Sequence, residues 1–271
     1  MLAYVDMSRF YSFSLIFVHI IHSTNCMAEI REDFFAMPSQ EKVLSSAKNA
    51  ASTYHFQIPF YAGITAFFLF DGDVTKSLSD ETPIFGSQEN AKRWTDGLLL
   101  SLLPVMLYTA SQVDLKPDLK KDSYFSKRTK FLFFQSAIIM TDFLLVSGIK
   151  MSTSRIRPDE SDRLSFPSGH SSISSGMSRT IFNNVKNSSL DGTPQGRWLQ
   201  QGSFAASSAV AWGRVEAKKH HVSDILLGNA FGAFISDFLY ASFLEDMNTA
   251  VQPSVYFSPS GSAALAFNIC F

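Results

Sequence analysis

The sequence is poor in cysteine: Cys26 and Cys270 are the only two in 271 residues. That excludes the disulfide scaffold of small secreted domains, and two isolated thiols fit no zinc-binding pattern. Net charge is also missing. Twenty-three basic and 24 acidic residues leave a formal charge of -1, so no global basic field draws the chain to nucleic acid or to an anionic membrane surface. Strand-like alternation is absent until the last 20 residues or so, which removes β-sandwiches and barrels from consideration. Long uninterrupted apolar runs are scarce, and the mean hydropathy is only +0.06, against a protein of six membrane spans.

What is present is a hydrophobic fraction of 46%, including 26 Phe, enough for one sizeable core. Residues 10–21 (FYSFSLIFVHII) form an apolar run of signal-peptide length behind Arg9. Small residues at Cys26 and Ala28 make cleavage after Ala28 the expectation, with an uncleaved anchor or a lipid on Cys26 as competitors. Five further apolar stretches, at 58–70, 97–110, 131–149, 204–215 and 222–244, read as helices by length and composition. The segments 71–96, 111–130 and 187–200 read as polar connectors from their charge and their Asp-Gly and Thr-Pro turn signals. Three of the five helices fall short of about 20 apolar residues, and the two longest carry Asp142, Asn229 and Asp237. The expectation is an all-α helical bundle with buried apolar faces; a membrane-docked or partly embedded bundle is the alternative. Gly228 and Gly232, four apart, permit close approach of another helix. In the tail, Leu265, Phe267 and Ile269 alternate with smaller or polar residues after a Ser-Pro-Ser-Gly turn, which predicts a short C-terminal β-hairpin. The expected organisation is an export segment over 1–28, a helical domain over 29–245 and a tail over 246–271.

Three fragments carry chemistry: 150–158 (KMSTSRIRP), 167–170 (PSGH) and 213–224 (GRVEAKKHHVSD). Arg157 precedes Pro158, which disfavours helix, so it sits in extended or turn backbone where its guanidinium can cross a cleft. With Lys150 it offers a point charge and a planar fork to one phosphate, although two basic residues at a helix end serve equally to complement the helix dipole. Ser168 and Gly169 fall at or just before the N-terminus of a helix over 171–185, where free N–H groups favour an anion, with His170 beside it; an ordinary serine cap with a surface histidine is the rival reading. In the third fragment Asp224 can reach back to one ring nitrogen of His220 and leave the other free as a nucleophile. Spacing alone does not exclude the neighbouring His221. Lys218 and Lys219 are either solvated or attract an anionic substrate. Histidines with an aspartate also suit a metal, but converging lysine and arginine side chains repel one and favour an anion. Phosphoryl transfer needs mainly positioning and charge stabilisation, which protein cations can supply without a metal or other cofactor.

The set Lys-x6-Arg-Pro, Pro-Ser-Gly-His and Arg-x5-His-x3-Asp resembles the type 2 phosphatidic acid phosphatase superfamily, which spans lipid phosphatases, bacterial non-specific acid phosphatases and vanadium haloperoxidases. The resemblance covers Lys150 to Asp224 and implies an all-helical fold. It implies His220 as the nucleophile that forms a phosphohistidine, Asp224 as its orienting partner, and His170 as the proton donor to the leaving oxygen and then the base for water. Lys150, Arg157, Arg214, Ser168 and the Gly169 amide would hold the phosphoryl oxygens. Gly213 departs from the family, which usually has serine there. The short segment 159–166 (DESDRLSF) is similar to the lipid-phosphatase branch. The implied activity is therefore a metal-independent phosphatase of a lipid phosphomonoester or pyrophosphate, exported to the periplasm or membrane of a bacterial envelope and in contact with the membrane. The alternatives are a broad-specificity soluble periplasmic acid phosphatase, a vanadate-dependent haloperoxidase, and a non-enzymatic envelope protein.

Overall fold

The computed structural model describes residues 37–69, 71–81, 83–115, 124–247, 251–257 and 263–269. The chain divides into two compact units, Met1–Met37 and Pro38–Phe271, and the second holds all three chemistry-bearing fragments. The expected export segment lies outside the described residues.

Among the described residues, eight α-helices make up the second unit: α1 (Gln40–Ser52), α2 (Tyr54–Leu69), α3 (Asp71–Glu81), α4 (Gln88–Gln112), α5 (Tyr124–Thr153), α6 (Gly169–Lys186), α7 (Pro194–Glu216) and α8 (Val222–Leu239). A π-turn at Tyr240–Leu244 extends α8. Two strands, β1 (Val251–Phe257) and β2 (Ala263–Ile269), pair antiparallel with Val251 opposite Ile269. The five apolar stretches all lie in helices. All three connectors are shorter than expected. Residues 71–96 contain α3 and the first turns of α4, because Asp71 is buried in tertiary hydrogen bonds rather than solvated as a turn residue. Residues 187–200 already start α7 at Pro194, where Thr193 caps the Gly196 N–H and proline takes the first helical position. Residues 124–130 likewise belong to α5, and α1 is not legible as an apolar stretch.

Helix α8 is central and packs against α6, α2, α1, α5 and α7. Its crossing with α6 rests on the two glycines: a Cβ on Gly232 would stand 1.9 Å from the Ser172 carbonyl oxygen, and one on Gly228 2.6 Å from that of Ser168. No side chain fits there, so the helices meet at backbone distance. The polar side chains between the helices are paired. Arg179 of α6 bonds Asp237 of α8 at 3.1 Å, and Thr180 meets Ser236 at 2.9 Å.

The apolar faces do not all turn inward. Ile58, Tyr61, Phe68 and Leu69 of α2 and Met140, Leu144, Leu145 and Met151 of α5 are exposed. Among the described residues two helical stretches, Lys127–Thr153 and Val222–Leu244, are long and apolar enough to cross a membrane; the first is the less buried.

Candidate active site

The site forms where the last turns of α5 and α7 meet the first turns of α6 and α8. Ser168 is the N-cap of α6, with its hydroxyl accepting from the Ser171 N–H at 3.4 Å and the Ser171 hydroxyl at 2.9 Å. The Ser168 N–H donates to the Asp224 carbonyl at 3.0 Å, which ties the start of α6 to the start of α8. The first-turn N–H groups beyond it have no intrahelical acceptor and carry the positive end of the helix dipole. Lys150, in the last turn of α5, reaches this turn: its Nζ donates to the Leu164 carbonyl at 2.7 Å, and its Cε would lie 3.7 Å from a Cβ on Gly169.

Arg157 lies outside the helix, as Pro158 requires, but its guanidinium is committed. Nε donates to Asp162 at 2.6 Å and Nη1 to the Lys219 carbonyl at 3.3 Å. Arg214 is different. It is 5% exposed, and its Nε and Nη1 have no hydrogen-bond partner among the described residues. A guanidinium so buried with open donors is poised for an anion.

His220 is buried beneath these cations, 2% exposed. Its Nδ1 lies 2.7 Å from the Ser165 carbonyl oxygen. A carbonyl only accepts, so Nδ1 carries the proton and Nε2 of the neutral ring keeps its lone pair. Burial, followed by the charges of Lys150, Arg214, Arg157 and His170, pushes the His220 pKa well below 6.5. The neighbouring His221 is the N-cap residue of α8, and its Nε2 turns to the Ile156 carbonyl at 3.3 Å.

Asp224 corrects the expected pairing. Its Oδ2 is 3.9 Å from His220 Nδ1, beyond a hydrogen bond. In the first turn of α8 the carboxylate instead caps its own helix, accepting the His221 N–H at 2.9 Å, and it also accepts from the Ser165 hydroxyl and from Arg155 Nη1 at 2.7 Å. The residue that orients His220 directly is thus Ser165, through its carbonyl, while Asp224 holds Ser165 from the other side. Sequence reasoning missed Arg155, Ser165 and Asp71. Arg155 bridges Asp224 to Asp71 of α3, and Asp71 in turn accepts the Ser223 N–H at 3.0 Å and the Ser223 hydroxyl. Asp71 thereby caps α8 from another helix. The two lysines of the third fragment are paired, Lys218 with Asp80 at 2.7 Å and Lys219 with Asp159, so they stand as ion pairs rather than as free attractors.

His170, on the first turn of α6, places Nε2 2.9 Å from Asp96 Oδ1 of α4. Gly213 is accounted for by the same helix. A Cβ there would meet Thr95 Cγ2 at 2.3 Å and Phe85 Cε2 at 3.0 Å, so α4 and its leading loop occupy the space of the usual serine. Glu216 fixes that loop by accepting the N–H groups of Ile84 and Phe85 at 2.9 and 2.8 Å.

No curated protein matches the chain. A solved structure titled as the first transmembrane PAP2 type phosphatidylglycerolphosphate phosphatase from Bacillus subtilis is similar to it at 20% identity, with a TM-score of 0.46, over 73% of this chain and 90% of that one. The family model of the PAP2 superfamily matches residues 131–247, the span that holds most of α5, all of α6 to α8 and all three fragments. The resemblance to this superfamily is thereby supported over residues 131–247.

Proposed function

We propose that the chain is a phosphatase of a lipid phosphomonoester or pyrophosphate, working without a metal through a phosphohistidine on His220. The observation that carries this reading is the buried Arg214, with Nε and Nη1 unbonded among the described residues, beside a neutral histidine whose Nε2 is free. In the first step His220 Nε2 attacks phosphorus, the P–O bond to the leaving group breaks, and His170 gives that oxygen its proton. In the second step His170 takes a proton from water, whose oxygen attacks phosphorus, and the P–N bond breaks to release phosphate and neutral His220. Arg214, Lys150 and the first turn of α6 offset the charge on the phosphoryl oxygens in both steps.

A lipid substrate is favoured by what surrounds the site. Phe67, Phe68 and Leu69 stand just ahead of Asp71, Ile84 adjoins Phe85, Trp94 is two residues before Asp96, and Met151 and Ile156 adjoin Lys150 and Arg157. All seven are exposed. Exposed apolar side chains next in sequence to the residues of a cationic centre suit a phosphorylated headgroup at a membrane surface. The apolar run at 10–21 supports export to the bacterial envelope.

The test is phosphate release from phosphatidate vesicles and from p-nitrophenyl phosphate, with wild type and His220→Ala. Wild type is expected to hydrolyse the vesicle substrate in EDTA and to yield an acid-labile phosphoprotein, and His220→Ala is expected to do neither. Activity that survives His220→Ala, or that EDTA abolishes, sinks the mechanism. A clear preference for the soluble ester turns the reading toward a broad-specificity acid phosphatase.

A further inference from the structure

His170 stands among positive neighbours. The groups that face it are Lys150 from α5, Arg214 from α7, His220 ahead of α8 and Asp96 from α4, and Asp96 is the acidic one of the four. Its Oδ1 lies 2.9 Å from His170 Nε2, across 74 positions of sequence. The carboxylate is held in place by its own helix. Ala91 and Thr95, on the preceding turn, are fully buried against α7 at Gly213, and the loop ahead of α4 is clamped by Glu216.

We propose that Asp96 is the positioning residue of His170: its carboxylate fixes the ring and keeps the imidazolium available as proton donor to the leaving group. Because a carboxylate accepts, His170 carries a proton on Nε2, and Nδ1 is the nitrogen that gains and loses the second proton. An imidazolium at this place is opposed by Arg214 and Lys150, so without a carboxylate it would release its proton too early to serve as an acid. Burial, Arg214 and Lys150 push the His170 pKa down, and the hydrogen bond and charge of Asp96 work against them. The reciprocal effect is present too, since the bond from His170 is the main cause that holds Asp96 below the usual carboxylate range. The role in proton donation rests on the proposed phosphatase activity; the pairing does not.

Two measurements on the full chain separate them. The first is an NMR titration of histidine-labelled protein, with His170 assigned by its substitution. Asp96→Asn is expected to lower the His170 midpoint by about one pH unit or more, roughly a tenfold loss of imidazolium at a given pH, and Asp96→Glu to restore most of it. An unchanged midpoint in Asp96→Asn overturns the proposal whether or not the chain is a phosphatase. The second is the pH dependence of kcat/KM for phosphate release. The alkaline limb, where His170 must still be protonated, is expected to move to lower pH in Asp96→Asn, with a loss of roughly tenfold or more at the alkaline end. A fall that is uniform across pH, with the limb in place, assigns Asp96 a merely structural part and refutes the role. If wild type releases no phosphate in a His220-dependent way, the phosphatase reading fails and the titration alone decides the pairing.

Discussion

Replacing Gly213 by serine, the residue usual in the superfamily, is expected to harm this protein. Gly213 lies inside α7, where serine is the better helix former by about 0.5 kcal/mol, so propensity alone favours the change. Packing opposes it. The new Cβ would stand 2.3 Å from Thr95 Cγ2, 3.0 Å from Phe85 Cε2 and 3.4 Å from the Ala91 carbonyl oxygen. Carbon pairs settle at about 3.5–4.0 Å, so α4 must withdraw by about 1 Å or Thr95 must rotate. Thr95 is fully buried, and its hydroxyl is bonded to the Lys92 carbonyl at 2.9 Å, so rotation forfeits that bond. Overpacking of this kind costs about 1–3 kcal/mol, more than the propensity gain, and in a domain of this size corresponds to a fall in Tm of roughly 3–10 °C. Because Asp96 follows Thr95, kcat/KM should fall as well. Thr95→Ser removes the clashing methyl and keeps the hydroxyl. The double variant should therefore recover part of both losses, although Thr95→Ser alone costs about 1 kcal/mol. Thermal unfolding and phosphate release on the four proteins decide the matter. A Gly213→Ser protein as stable and active as wild type would refute the reasoning, as would a double variant worse than the sum of the singles.

Arg155→Ala strands the carboxylates of Asp71 and Asp224 in the interior and should cost on the order of 3 kcal/mol by urea midpoint; Arg155→Lys should not rescue it, since one ammonium cannot span both acids. Burial pushes the Asp71 pKa up, but the bonds from Ser223 and Arg155 outweigh it and hold it below 3.8. Its stabilisation is therefore complete above about pH 4 and is lost as pH falls through the lower native value, and Asp71→Asn should lack that acid-side slope in unfolding free energy against pH. His220, with its pKa depressed, should remain a neutral nucleophile below pH 6.5, so the acid limb of kcat/KM should lie under that value and move up in Arg157→Gln.

The sequence disclosed the candidate reacting groups better than the residues that hold them in place. Short-range signals survive folding. Ser168 caps α6, Pro158 keeps Arg157 out of the helix, and the Gly228–Gly232 pair meets another backbone. Spacing also brings Asp224 near His220, but it does not reveal that Arg155 and the N-cap residue win the carboxylate. That competition is settled by Asp71, 84 positions from Arg155, in a segment whose Asp-Gly-Asp pattern reads as a turn. There tertiary hydrogen bonds override local propensity. Asp96 is invisible for the same reason: nothing local marks an aspartate ahead of an apolar helical run as the partner of a histidine two helices later in the chain.

The charge pattern joins binding to nucleophilicity. Arg155 is divided between Asp71 and Asp224, and Arg157 is paired with Asp162 although its charge still acts on His220. Of the site's cations, Arg214 and Lys150 have no carboxylate bonded to them; the Lys150 ammonium donates to the carbonyl oxygens of Leu164 and Ser165. On the proposed function that positive charge attracts a phosphate and, together with burial as the larger cause, keeps the proton off His220 Nε2 before the phosphate arrives. A bound dianion cancels the excess and would raise the His220 pKa, yet Nε2 is by then directed at phosphorus rather than at water. On the proposed mechanism one electrostatic feature thus selects the ligand and arms the group that attacks it. Removing either cation must weaken binding and protonate the nucleophile together, so the loss in kcat/KM at acidic pH should exceed that at alkaline pH, where His220 is neutral in any case.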